Sequence, residues 1–146
     1  MSNYLFIDTS TQEEIRVAVF DNNGLVAKKE LKVGFKYSEK LLTGVDSLLK
    51  KTKISLKNTK AILVIEGPGR FSALRTGVNV ANTLAWSLGV PVIGIKGQEG
   101  QGAGKDCWPA LENMIVNKIK KLKAKKFKQA VVPQYGQEPN ITVKRH

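Results

Sequence analysis

Residues 61–95 read "AILVIEGPGRFSALRTGVNVANTLAWSLGVPVIGI". The stretch 61–66 is apolar without alternation, the pattern of a strand buried on both faces. Such a strand requires a layer of structure on each side of its sheet. Gly67-Pro68-Gly69 reverses the chain, and the periodicity that follows predicts a helix over 71–88 with Gly89 at its C-terminal cap. Pro91 then opens "PVIGI", a second buried strand. The chain therefore contains a strand, a helix and another strand of one layered sheet.

The flanking sequence extends this unit. Residues 4–10 and 15–21 read as strands, and Asn22-Asn23-Gly24 turns into a third strand over 25–33. Ser38 followed by Glu39 suits a helix start, and Leu41, Leu42, Val45, Leu48 and Leu49 share one arc of the helix behind it. The order βββαβαβ predicts an α/β fold, a three-stranded antiparallel ribbon extended by parallel strands. This is the layout of a single ribonuclease H-like or actin-like lobe, here residues 1–96. A glycine-rich linker follows over 97–105. A basic amphipathic helix is expected over 106–128, with Leu111, Met114, Ile115, Ile119 and Leu122 on its stripe. Pro133, Gly136 and Pro139 leave 129–146 as an extended tail.

Composition narrows the chemistry. A lone cysteine, Cys107, excludes a disulfide framework, and a lone histidine, His146, excludes a Ser-His-Asp triad and a histidine metal cluster. No apolar run approaches the ~18 residues of a membrane span, and no signal-peptide pattern opens the chain. The expectation is a soluble, cytoplasmic protein without a metal. Its formal net charge of +12 points to RNA or an acidic protein as partner. Seven of the eleven residues 118–128 are lysine. Lys118, Lys120, Lys121, Lys125 and Lys126 are the candidates for gripping an RNA backbone. A solvated helix end whose lysines complement the helix dipole stands beside that reading.

Three motifs suggest a nucleotide and fall short of it. Gly67-Pro68-Gly69 lacks the third glycine of a dinucleotide fingerprint, since Ser72 stands in that place. Gly104-Lys105 resembles a P-loop, but Glu99 and Asp106 occupy positions that need glycine and a hydroxyl. Asp8-Thr9-Ser10 ends the first strand where actin-like ATPases carry an acidic group, but the partners that would complete an active site are not recognisable elsewhere, so a turn role is the favoured reading. No cofactor is expected, and a catalytic role is not.

The strongest signal is an absence. No lysine lies between residues 61 and 95, where the only charges are Glu66, Arg70 and Arg75. Apolar and small residues fill about half the circumference of the helix over 71–88, wider than the ~100° stripe of a surface helix. So short a chain leaves few elements to cover the second side, so a protein partner is expected there. The candidate interface is Leu41, Val45, Leu48, Arg70, Phe71, Leu74, Arg75, Val78, Ala81 and Asn82.

"YLFIDTS", "YSEKLLTGVDSLLKKTKISLKNTKAI" and "GPGRFSALRTGVNVANTLAWSLGVPVIGI" resemble the TsaB (YeaZ) family of tRNA threonylcarbamoyladenosine biosynthesis. Against the family pattern Gly-Pro-Gly-Ser-Phe-Thr-Gly-Leu-Arg-Ile-Gly, residues Gly67, Pro68, Gly69, Phe71, Leu74, Arg75 and Gly77 match, while Arg70, Ser72, Ala73 and Thr76 depart. The resemblance covers residues 4–95, the family's first lobe, and the chain reads as shortened, without most of the second lobe. It implies a non-catalytic scaffold that pairs through its first-lobe helices with the TsaD-type transferase. It further implies docking of the TsaE-type ATPase on that heterodimer, tRNA contact through the complex, and a homodimer as the alternative in isolation. A stand-alone RNA-binding module and an actin-like ATPase are the competing functions.

Overall fold

In the computed structural model the apolar runs form the middle of one sheet. Residues 2–11, 14–32, 37–69, 71–97, 108–123 and 125–134 are described. The elements are β1 (Asn3–Asp8), β2 (Glu14–Asp21), β3 (Gly24–Lys32), α1 (Tyr37–Thr52), a 3-10 turn (Leu56–Asn58), β4 (Thr59–Gly67), α2 (Phe71–Leu88), β5 (Val92–Lys96) and α3 (Trp108–Lys121). The strand order is β3-β2-β1-β4-β5. β1 to β3 form an antiparallel ribbon, whereas β4 and β5 join parallel to β1. The expected βββαβαβ order is therefore present, with α3 added behind it.

Alternation along the strands sorts the core into two layers. Leu5, Ile7, Ile15, Val17, Val19, Ile62 and Val64 meet α1 and α2 on one face. Tyr4, Phe6, Ala18, Phe20, Leu63, Ile65 and Ile95 meet α3 on the other. Trp108 anchors α3 there, only 1% exposed, edge-on to Phe6 at 6.2 Å. Its indole N–H donates to Glu30 Oε2 at 2.7 Å, and Lys28 Nζ stands 4.6 Å from the ring centroid. Burying the indole thus also ties α3 to strand β3.

The helix ends follow their local chemistry. α2 stops where Gly89 takes φ +71°, so that Gly89 N–H reaches Trp86 O and Val90 N–H reaches Ala85 O. α1 closes with the same pair of bonds around Lys53, at φ 60°. α3 ends at Lys121 rather than at 128 as expected from the sequence. Leu122 N–H folds back to Ile119 O, and continuing the helix would stack lysines 121, 125 and 128 on successive turns. The chain instead runs extended, and Phe127 N–H donates to Gly89 O.

The extended segment has a structural role of its own. Phe127 and Val131 pack on the α1–α2 side of the core. The Asn82 side chain accepts from Val131 N–H at 2.8 Å and donates to Val131 O at 2.9 Å. Gln134 N–H then reaches Glu66 O at 2.6 Å. Most of the expected linker and the last twelve residues of the expected tail lie outside the described residues.

Candidate functional site

The turn after β1 and the turn before α2 meet at one end of the sheet. Asp8 and Arg16 are directly opposed across β1 and β2 and form an ion pair at 3.2 Å, 3% and 2% exposed. Asp8 Oδ1 also accepts from Ser10 N–H and Ser10 Oγ–H at 2.9 and 2.6 Å. The carboxylate that sequence alone reads as serving a turn is engaged by neighbours within its own ribbon. Tyr37 lies nearby, its hydroxyl pushed up to about 12, first by burial and then by the Asp8 charge, with Thr9 pulling weakly the other way. Neither the Tyr37 hydroxyl nor that of Thr9 completes a hydrogen bond among the described residues, so burial dominates.

The glycines of the family motif are held by close packing. Gly67 is at φ +141°, and a Cβ there would collide with the Gln134 carbonyl. A Cβ on Gly77 would strike the Thr9 side chain, and one on Gly69 would press the Ser10 carbonyl at 2.9 Å. The glycine turn therefore lies against the backbone at Ser10 and Gln134, and Gly77 of α2 lies against the Thr9 side chain.

The expected partner surface needs correction. Leu41, Val45, Leu48, Leu74, Val78 and Ala81 are all 4% exposed or less and belong to the core beneath α1 and α2. Asn82 is half-buried and committed to Val131. The wide apolar arc of α2 meets the sheet, α1 and the segment carrying Phe127 and Val131, which sequence analysis leaves as part of a helix and a free tail. That segment is the missing cover. Arg70 and the Phe71 side chain lie outside the described residues, and Arg75 is exposed.

The outward side of α2 carries Ser72, Arg75, Asn79, Thr83, Trp86 and Ser87, with one charge among them. Trp86 is 69% exposed and Leu42 of α1 48%. Between the helices a groove of about 460 Å³ is lined by Leu42, Val45, Leu49, Ile54, Leu56 and Leu84, with Asp46, Lys50 and Lys53 at its polar positions. Sequence reasoning missed both Trp86 and Leu42. The signal for Trp86 was an indole on the polar arc, in line with Arg75, Asn79 and Asn82 at helical spacing. The candidate lysines divide: Lys118, Lys120 and Lys121 are exposed on the last turn of α3, whereas Lys125 and Lys126 lie beyond it. Among the described residues no helix is long and apolar enough to cross a membrane.

This fold and these motifs have relatives. A family described as "TsaD: tRNA N6-adenosine threonylcarbamoyltransferase" matches residues 32–103. The tRNA threonylcarbamoyladenosine biosynthesis protein TsaB of Bacillus subtilis is 30% identical over 95 residues, covering 65% of this chain and 41% of that protein. The solved structure of YeaZ from Pseudomonas aeruginosa, also 30% identical, superposes with a TM-score of 0.59 over 66% of this chain and 43% of its own. RuvC of T. thermophilus, solved with a Holliday junction substrate, is 12% identical. With a TM-score of 0.54 over 86% of this chain and 99% of its own, it shows the shared fold alone. The chain spans about two fifths of the length of the TsaB and YeaZ relatives. Over about two thirds of its own length, this chain is similar in sequence to TsaB and in sequence and fold to YeaZ, and its fold is ribonuclease H-like.

Proposed function

We propose that this chain is a non-catalytic binding subunit in tRNA threonylcarbamoyladenosine biosynthesis, with the outward side of α1 and α2 seating a TsaD-type transferase. The observation that carries it is the outward side of α2, which holds a single charge and an exposed Trp86 in a chain of net charge +12. Charge depletion around an aromatic anchor is the composition of an interface core. The likeness of residues 32–103 to the TsaD family supports a transferase of related fold as the partner. The non-catalytic part rests on Asp8, which Arg16 and Ser10 already engage.

Co-expression with the transferase of the same organism, followed by size-exclusion chromatography with mass determination, tests this reading. Trp86→Glu should leave folding stability within about 0.5 kcal/mol of the parent, as for surface substitutions generally. It should abolish co-elution. Val78→Glu, by contrast, buries an unpaired carboxylate in the core and should unfold the chain. Wild-type co-elution by the Trp86→Glu protein would remove α2 from the interface.

A further inference from the structure

At the opposite end of the sheet from Asp8 and the glycine turn, a groove of about 1030 Å³ opens where β1 and β4 begin and α2 and α3 end. Among the described residues its lining carries five lysines, Lys57 and Lys60 around the start of β4 and Lys123, Lys125 and Lys126 after α3, and no carboxylate. All five are exposed. The C-termini of α2 and α3 point here, and each contributes roughly half a negative charge. Together they offset about one of the five cations, so the groove stays strongly positive. The neutral lining includes the amides of Asn3 and Asn58 and the hydroxyls of Ser2 and Thr59, while Leu88, Val90 and Leu122 supply apolar surface. Among the described residues its only aromatic, Tyr4, is 8% exposed and donates its hydroxyl to Asn22, so none of them offers a ring for stacking on a base.

The wall formed by Lys123, Lys125 and Lys126 is held in place. Phe127 packs into the core immediately after it, and its N–H is bonded to Gly89 O within the same groove region. We infer that this groove holds the phosphodiester backbone of a folded RNA without reading its sequence. The choice of RNA over an acidic protein rests on the proposed role in tRNA biosynthesis. The assignment extends the grip beyond the lysine run, since Lys57 and Lys60 stand about sixty residues earlier in the chain.

Fluorescence polarisation of the full chain with a labelled tRNA transcript tests the inference without any transferase present. Lys60→Gln/Lys123→Gln/Lys126→Gln should weaken binding by about tenfold or more and make the slope of log K against log salt shallower by about 2. The charge-matched control Lys32→Gln/Lys51→Gln/Lys96→Gln should weaken it by no more than about threefold, with little change in slope. Equal losses from the two triple variants would overturn the inference, because net charge and not the groove would then set affinity. Polyglutamate competing as well as unlabelled tRNA at equal charge concentration would also overturn it, in favour of an acidic protein. A groove variant that binds tRNA normally yet co-elutes with the transferase would overturn this inference and leave the proposed pairing standing.

Discussion

Asp8 illustrates how much a single residue's meaning depends on the residue across the sheet. Its position at the end of β1 is legible in the sequence, but its pairing with Arg16 is a matter of register, set when Asn3 meets Asp21. Two buried charges that satisfy each other are costly to separate, which makes the pair structural in this ribbon. Tyr37 is a further residue that sequence reasoning passed over. Its neutral hydroxyl is favoured in the folded state, with its pKa raised from 10.0 to about 12. The group binds its proton more tightly when folded, so its contribution to stability is fully present below pH 10 and is lost as pH rises toward 12. Tyr37→Phe should therefore flatten the loss of stability between pH 10 and 12, read as urea midpoints at closely spaced pH values. The 295 nm absorbance titration of the folded wild type should also lose its latest-rising component in this variant. Identical alkaline profiles for the two proteins would show that Tyr37 titrates as in an unfolded chain.

At the scale of elements, α2 is the most legible part of the molecule and also the most easily misread. Its bounds, Phe71–Leu88, agree with the periodicity and with the cap at Gly89. The partition of its surface does not follow from periodicity, because an apolar arc has the same appearance whether its cover comes from the same chain or another. Here the cover includes the extended segment, fastened by the two bonds between Asn82 and the Val131 backbone. Asn82→Ala removes both at once. The expected result is a stability loss of about 1–3 kcal/mol, concentrated in local opening of residues 125–134. Tryptic cleavage after Lys125, Lys126 and Lys128 should accelerate by about tenfold or more under native conditions, and protection of the Val131 amide should fall. Unchanged cleavage would mean that the packing of Phe127 and Val131 and the backbone bonds of Phe127 and Gln134 hold the segment without Asn82.

Across the whole molecule, the decisive arrangement is the closing of the sheet's second face by α3. Without that helix, Phe6, Phe20, Leu63 and Ile65 would present a continuous apolar surface. Trp108 ties the arrangement together through Phe6, Glu30 and Lys28. Trp108→Ala should reduce unfolding free energy by about 3–5 kcal/mol in urea denaturation. A change below about 1 kcal/mol would show that α3 is only loosely applied to the sheet. The order of the elements along the chain and the first two helices were written in local patterns: the unbroken apolar runs at β1 and β4, the Asn-Asn-Gly turn, the glycine turn and the cap at Gly89. These features were readable because each depends on residues within a few positions of one another. The partners of Asp8, the cover over α2, the exposure of Trp86 and the meeting of Lys57 and Lys60 with Lys123, Lys125 and Lys126 were not. Each of those depends on which distant segments share a face. Tertiary packing decides this, since hydrophobic burial is non-directional and periodicity shows that a face is covered without showing by what.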